Sequence, residues 1–332
     1  HFTFTEPRPR FMLNHLMSKF DTGLKWVPEH VFKDVEDPAT FGFYDLEKGW
    51  PLATGPYKVV AWSPQQKFYD RRDDWWGVKT GFMDKLPAPE RILFIPRTTD
   101  DTALIQRIVN DEVDQTLDLR ANTIAETFQN PNVITHTGTE PPYGYMDWWP
   151  SSIWFNHEEG PYTEADVRWA VSYSIDRQQL LDIGLGGSGI LTQLPFPKFP
   201  AMVPYFDAAE ELLAKYDTNE YNPEKAAELL DEAGWVLGDD GVREKDGVRL
   251  SLEFDSPNGR ILFDKEMAQV IASDLEKVGI EIADFRTLEW SIVSEMRKNQ
   301  GEGYRDLMFM ASGADYECAD DLLLVQADSG SN

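Results

Sequence analysis

The alternation of apolar and polar residues in the first half of the chain predicts several strands and one clear helix. Strands are predicted at Tyr57–Trp62 and Lys67–Arg71, joined as a hairpin through Ser63-Pro64, at Arg91–Ile95, which reads as buried, and at Val113–Leu119. Helices are predicted around Phe11–Phe20 and from the cap residue Thr99 to about Asn110. This β-α-β order is typical of an α/β lobe in which helices cover a sheet.

The second half repeats this order of helices and strands. Thr163 and Asp166 have capping-box spacing, and one helical face follows at Val167, Ala170, Val171, Ile175 and Leu181. Further helices are predicted from Asn222-Pro223 to Gly234, over Phe263–Val278 before Gly279, and over Trp290–Asn299, with strands at Ile280–Phe285 and Asp306–Met310. The proline-rich stretch 195–200 predicts a fixed loop with exposed rings, either a lid or a surface connector.

Aromatic residues are concentrated in the segment from Pro141 to Ala165. They are Tyr143, Tyr145, Trp148, Trp149, Trp154 and Phe155, with Asp147, Asn156 and His157 interleaved. Flat amphipathic rings suit a desolvated cleft that holds a polar ligand with an apolar face. A buried aromatic cluster is the alternative interpretation of the same residues.

Composition narrows the class of protein. A chain of 332 residues is long enough for two packed lobes, and its net charge of −27 argues against binding to nucleic acid or to an anionic membrane surface. The single Cys318 excludes an internal disulfide, and the five histidines have no metal-ligand spacing, so we expect neither a metal site nor a cofactor. The chain lacks a starting Met and opens in mid-pattern, which indicates a piece of a longer protein.

Several blocks in order along the chain resemble one known family. Residues 53–59 (ATGPYKV) resemble its GTGPYK signature, residues 71–77 (RRDDWWG) its R-N-P-x-Y-W-G element, and residues 155–177 its FN…PF.D.RVRQA and A-I-D-R blocks. Residues 221–234 resemble its Y-D-P-E-K-A…LL..AG block, and residues 313–316 (GADY) its W-x-A-D-Y element, with Ser312 in place of the tryptophan. The chain is therefore similar to the extracellular solute-binding proteins of family 5, the peptide, nickel and oligosaccharide receptors of ABC importers.

The resemblance implies a two-lobed, periplasmic-binding-protein-like α/β fold of type II with a hinge and an interlobe cleft. Residues 1–45 would finish a small extra domain and re-enter lobe one, and residues 46–152 would belong to an incomplete lobe one. Residues 153–157 would form the hinge strand, and residues 158–332 a second lobe whose C-terminal part is missing.

The resemblance also implies a mechanism and a location. The receptor, expected to be a monomer, would capture a small molecule between closing lobes and deliver it to a membrane permease. It would work in the periplasm or outside the cell, with a lipid anchor as one option, and it would not be an enzyme.

The ligand is the least determined part of this hypothesis. Tryptophan faces suit the apolar side of a sugar ring and carboxylates suit its hydroxyls, so an oligosaccharide is preferred over a peptide. The candidate ligand-binding residues are Tyr143, Tyr145, Asp147, Trp148, Trp149, Asn156, Trp290, Asp315 and Tyr316. In peptide-binding relatives the aspartate at the position of Asp315 holds the peptide's amino terminus.

Two other classes of function compete with this hypothesis. A glycoside hydrolase also uses aromatic clefts, but it needs two carboxyl groups at a defined separation, and no motif singles out such a pair among the 58 acidic residues. A cell-surface adhesion module would need an exposed binding patch instead of a closing cleft.

Overall fold

The computed structural model describes residues 3–9, 11, 12, 16, 26–38, 40–96, 101–116, 119, 121–140, 143, 151–156, 160–194, 196–198, 200–258, 264–298 and 306–311. The chain divides into two compact units. The smaller unit comprises residues 24–100, and the larger unit comprises residues 1–23 and 101–332. The helix predicted around Phe11–Phe20 lies almost entirely outside the described residues.

The smaller unit is built on a three-stranded antiparallel sheet in the order β1-β2-β3. Its elements are α1 (Glu29–Phe32), β1 (Tyr57–Ser63), β2 (Gln66–Arg71), α2 (Trp76–Lys79) and β3 (Arg91–Phe94). The predicted hairpin is confirmed, because Ser63 pairs with Gln66 across a two-residue connection. A side chain fixes this turn, since Ser63 Oγ accepts a hydrogen bond from the Gln65 N–H at 3.2 Å.

The strand predicted at Arg91–Ile95 exists as β3, but the prediction that it is buried is wrong. Leu93 is 44% exposed and Phe94 57% exposed. The cause is position in the sheet: among the described strands β3 pairs with β2 alone and forms an edge, so its side chains lack neighbours on one side.

Two sequence motifs of the smaller unit meet at one carbonyl group. The indole N–H groups of Trp75 and Trp76 both donate to the Thr54 carbonyl oxygen at 2.8 Å. The Arg72 N–H donates to the Pro56 carbonyl at 2.7 Å. The ATGPYKV turn and the RRDDWWG segment therefore hold each other in place, which agrees with a mainly structural role for this tryptophan pair.

The larger unit is an α/β unit around a four-stranded sheet. Its helices are α3 (Asp101–Val109), α4 (Ala121–Thr127), α5 (Ala165–Ser174), α6 (Arg177–Leu185), α7 (Val203–Ala208), α8 (Glu210–Lys215), α9 (Pro223–Glu232), α10 (Asp264–Lys277) and α11 (Trp290–Lys298). Its strands are β4 (Ser151–Phe155), β5 (Val236–Leu237), β6 (Arg243–Lys245), β7 (Val248–Arg249), β8 (Ser251–Asn258), β9 (Glu281–Glu289) and β10 (Leu307–Ala311).

The four-stranded sheet has the order β4-β10-β8-β9. Strands β10, β8 and β9 run parallel, whereas β4 is antiparallel to β10. One face of this sheet packs on the main core, where Phe254 is fully buried and contacts Phe285 with ring centroids 5.3 Å apart. Strands β5, β6 and β7 form a separate small antiparallel sheet.

Capping residues in the larger unit confirm several predicted helix ends. Asn222 Oδ1 accepts a hydrogen bond from the Lys225 N–H at 3.0 Å, and Pro223 occupies the first turn of α9. Gly234 (φ +88°) and Gly279 (φ +86°) stop α9 and α10 in the left-handed region. The helices predicted at 263–278 and 290–299 and the strands at 280–285 and 306–310 are confirmed within a few residues.

The helix start predicted from Thr163 is wrong in its mechanism. Pro161–Thr163 form a 3₁₀ turn, and Thr163 Oγ1 donates to the Gly160 carbonyl at 2.9 Å. Helix α5 therefore begins at Ala165 after Glu164, which makes no side-chain cap. The single helical face predicted over Val167–Leu181 is divided between two helices, since α5 ends at Ser174 and α6 begins at Arg177. Asp176 caps α6 by accepting a hydrogen bond from the Gln179 N–H at 3.0 Å.

Two segments of the larger unit differ from the sequence predictions: the expected strand Val113–Leu119 and the proline-rich stretch 195–200. Within the described residues 113–116 of the expected strand Val113–Leu119 there is no strand, since alternation makes a strand only where a partner strand is present. In the proline-rich stretch, the described residues 196–198 form no helix or strand, as predicted, but Phe196 is fully buried and packs on Phe206 with ring centroids 5.7 Å apart. Its ring is part of a local core, so the expectation of exposed rings is wrong for Phe196.

Candidate functional site

At one end of the four-stranded sheet, the ends of all four strands lie side by side. We call this end of the strands the candidate edge. The carboxyl ends of the parallel strands β8, β9 and β10 lie there, as does the amino end of the antiparallel β4. Asn258 pairs with Glu289, and Ala311 pairs with Ser151. Open α/β sheets bind ligands outside the carboxyl ends of their strands, so this edge is the candidate site.

Trp290 lies at this edge, where the sequence predicted a cleft residue. It follows the last residue of β9 directly and opens α11. Its half-buried ring packs, with Trp154 and Met296, against the buried side chains of Leu288 and Val293. We call these five residues the edge cluster; it is separate from the main core.

Trp154 belongs to the edge cluster although its neighbours in β4 face the other way. Ile153 and Phe155 pack on the main core, and Phe155 contacts Tyr162 with ring centroids 5.4 Å apart. Alternation along the strand turns Trp154 to the opposite face of the sheet. Its indole N–H is buried and has no hydrogen-bond acceptor within the described part of the chain.

A charged pair lies on the same face of the sheet as the edge cluster. Arg286 donates from Nε and Nη2 to the two carboxylate oxygens of Asp255, at 2.8 and 2.7 Å. The Asp255 side chain is fully buried, whereas the Arg286 side chain is 36% exposed. Arg286 and Leu288 share a face because they are two residues apart in β9. No sequence signal marked this pair, since it depends on the register of β8 against β9.

Asn156 lies at the opposite end of the strands from the candidate edge. It follows the carboxyl end of β4, and its backbone N–H donates to the Asp306 carbonyl at 3.0 Å. The five residues of β4 at about 3.3 Å each separate it from the candidate edge by roughly 16 Å. The structure therefore does not bring Asn156 together with Trp290.

The remaining candidate residues are placed only in part. Tyr143 is half-buried, and its ring contacts Phe128 with centroids 5.8 Å apart. Tyr145, Asp147, Trp148, Trp149, Asp315 and Tyr316 lie outside the described residues. In the sequence, however, Ser151 follows the aromatic segment and Ala311 precedes Asp315, and these two residues are register partners at the candidate edge.

Other features of the described residues lie away from this edge. A groove of about 320 Å³ between α6 and α10 contains none of the candidate residues. Burial, helped by the Asp306 carboxylate, raises the pKa of the Tyr162 hydroxyl well above its usual 10.0. Among the described residues no three His, Cys, Asp or Glu side chains could jointly hold a metal ion, and no described helix is long and apolar enough to cross a membrane.

Comparison with known proteins identifies a family and several relatives that are similar to this chain. Residues 1–332 match the family described as "Bacterial extracellular solute-binding proteins, family 5 Middle". The nickel-binding periplasmic protein of Escherichia coli is 30% identical over 259 residues, which are 74% of this chain and 44% of that protein. The oligopeptide-binding protein AppA of Bacillus subtilis is 24% identical over 278 residues, 81% of this chain and 45% of that protein. The chain thus spans less than half the length of these curated relatives.

Solved structures show the same likeness. The periplasmic oligopeptide-binding protein of a Thermotoga maritima oligopeptide ABC transporter has a TM-score of 0.74 at 22% identity, covering 94% of this chain and 55% of that chain. Its mannohexaose-bound form has a TM-score of 0.68 at 24% identity, covering 86% and 50%. These matches confirm the predicted fold class, the two-lobed periplasmic-binding-protein-like α/β fold. The relatives named here are binding proteins rather than enzymes.

Proposed function

Since this chain belongs to the bacterial extracellular solute-binding proteins of family 5, we propose that it is part of the substrate-binding receptor of an ABC importer. The receptor captures an oligosaccharide and releases it unchanged to a membrane permease. It works in the periplasm or outside the cell, where a lipid anchor is one way to keep it near its permease. We expect the receptor to act as a monomer.

The observation that carries this proposal is the aromatic edge cluster at the carboxyl edge of a parallel sheet. Trp290 supplies an indole face there, and such faces match the apolar side of a pyranose ring. Trp154 lies about 10 Å further along the sheet, in the same edge cluster. The mannohexaose bound to the similar Thermotoga maritima protein supports an oligosaccharide as ligand. Trp290 is the proposed stacking residue.

The other candidate residues extend this proposal. Their proposed role is to complete the ligand cleft with rings and hydroxyl-binding groups: Tyr143, Tyr145, Asp147, Trp148, Trp149, Asp315 and Tyr316. Asn156 is left out of this proposal because it lies roughly 16 Å from the candidate edge. The proposed domain map has residues 1–45 and 46–152 before a hinge strand at 153–157, with residues 158–332 in the second lobe. In this map Trp154 belongs to the hinge strand.

A peptide is the second candidate ligand. Asp315 lies in a GADY segment that resembles the element with which peptide-binding relatives hold an amino terminus, and AppA of Bacillus subtilis is named as an oligopeptide-binding protein. Glycoside hydrolysis is the enzyme-class alternative, and it requires turnover of a bound sugar.

A thermal-shift screen of the full chain against mannohexaose, other neutral oligosaccharides and oligopeptides tests the proposal. A ligand at 100 times its Kd stabilises the folded protein by about 2.7 kcal/mol, and we expect this for an oligosaccharide. Stabilisation by peptides alone would reverse the choice of ligand. Chromatography of the recovered sugar should show intact chains, and shortened products would contradict a transport receptor. Small-angle scattering should show contraction with ligand, which an adhesion module would not undergo.

A further inference from the structure

We propose that the indole N–H of Trp154 donates a hydrogen bond to an uncharged oxygen of the captured ligand, a sugar hydroxyl or ring oxygen. This inference rests on the proposed function, and it adds a ligand-contacting residue to the candidate set. It also assigns a neutral ligand to this part of the site.

The first support is the direction in which Trp154 faces. Its strand neighbours Ile153 and Phe155 pack on the main core, so these two residues, and not Trp154, attach β4 to that core. Trp154 is turned to the edge cluster together with Trp290, which opens α11 at the candidate edge. The ring therefore lies on the face that leads to the site.

The second support is the unpaired donor. A buried donor without an acceptor costs about 1–3 kcal/mol, and native structures retain few of them. Trp75 and Trp76 in the smaller unit follow the rule, because both of their indole N–H groups reach the Thr54 carbonyl at 2.8 Å. Trp154 and Trp235 do not follow it within the described residues. Trp235 lies in the main core, whereas Trp154 lies in the edge cluster, where a ligand oxygen would satisfy its donor.

The charges on this face of the sheet favour a neutral ligand. The buried Asp255 carboxylate is already paired with Arg286 through two hydrogen bonds, so this pair offers no ready counter-charge to an anionic ligand group. A hydroxyl oxygen needs no counter-charge. The chain's net charge of −27 acts in the same direction.

Trp154→Phe is the direct test, because it keeps an aromatic ring and removes the N–H. Trp235→Phe is the matched control: Trp235 is 4% exposed in the main core and also has a buried N–H without an acceptor among the described residues. Calorimetry with mannohexaose should show about three- to tenfold weaker binding for Trp154→Phe, the range expected for one neutral hydrogen bond. Trp235→Phe should bind within twofold of the unchanged chain. The smaller phenyl ring loses packing in the edge cluster, so the ligand-free melting temperature of Trp154→Phe should fall. Benzothienylalanine at position 154 keeps that packing and should leave the melting temperature unchanged, because no native hydrogen bond is lost.

The outcomes separate this inference from the function on which it rests. If the unchanged chain binds no oligosaccharide and no peptide, the proposed function fails. If it binds, and Trp154→Phe binds as well as Trp235→Phe, the inference about Trp154 is overturned. Should Trp154→Phe fail to fold, benzothienylalanine at position 154 decides, since it has the shape of the indole without the N–H. A hexuronate-containing oligosaccharide that binds more tightly than its neutral analogue would contradict the assignment of a neutral ligand.

Discussion

The side chain of Arg243 joins three parts of the larger unit at a point that water barely reaches. It is 4% exposed, donates from Nε to the Val278 carbonyl at 2.8 Å, and donates from Nη1 to the Trp235 carbonyl at 2.6 Å. It also pairs with Asp231 near the end of α9. One guanidinium therefore connects α9, the segment after it and the end of α10.

Replacing Arg243 with Met keeps the unbranched apolar part of the side chain and removes every donor. Each of the two carbonyls left without its partner costs about 1–3 kcal/mol. Asp231 is 60% exposed and can turn to water, so the lost ion pair adds at most about 1 kcal/mol. We expect Arg243→Met to lower the free energy of unfolding by about 3–5 kcal/mol.

Urea unfolding followed by tryptophan fluorescence measures this loss. The control is Arg249→Met, because Arg249 bonds Asp240 and Glu281 but its side chain is 43% exposed. The control should change the unfolding free energy much less than Arg243→Met does, because exposed ion pairs contribute little to stability. If the two variants lose similar stability, burial of the Arg243 guanidinium is not what makes its contacts important.

Three further predictions follow from the packing and the charges. Gly77→Ala should destabilise the smaller unit by about 1–3 kcal/mol, because a Cβ there would lie 2.5 Å from the ring of Trp75, whereas Gly42→Ala meets nothing within 4 Å and is the control in thermal melts. Hydrogen bonds from Arg249 lower the pKa of its two carboxylate partners from 3.8 and 4.5. The two carboxylates therefore stabilise the folded chain above their pKa values in the unfolded chain, and this stabilisation is lost as pH falls through their lowered pKa values in the folded chain. In Arg249→Gln the urea midpoint should consequently fall less steeply with decreasing pH below about pH 4.5. A slope equal to that of the unchanged chain would contradict this. Tyr162→Phe removes a buried hydroxyl that has no partner among the described residues, and it should raise the melting temperature or leave it unchanged; a clear fall would show that the hydroxyl is bonded.

Local signals in the sequence were sufficient wherever a residue acts on its own backbone. Asn222, Pro223, Gly234 and Gly279 predicted the ends of α9 and the end of α10 because a cap or a positive φ is a property of one residue in its turn. The start of α11 at Trp290 was predicted because helical periodicity begins at that residue.

Features that depend on distant partners were beyond the sequence. The burial of Arg91–Ile95 depends on what pairs with and covers β3, and its alternation says nothing of either. The Asp255–Arg286 pair requires the register of two strands separated by a whole helix. The sequence could not predict that Trp154 lies in the edge cluster. Alternation along a strand shows that neighbouring side chains lie on opposite faces of the sheet, but it does not show which face carries the candidate site.

The two indole hydrogen bonds to the Thr54 carbonyl allow local opening of the smaller unit to be measured. A carbonyl oxygen has two lone pairs, and here both are taken by indole protons that come from consecutive residues. Opening of that turn releases both protons, but Trp76 is 46% exposed and can also lose its hydrogen bond alone, whereas Trp75 is 9% exposed. The nuclear magnetic resonance signal of the Trp75 indole proton should therefore exchange with solvent deuterium only when the turn opens. The tryptophan pair is thus a native probe of local opening that needs no label.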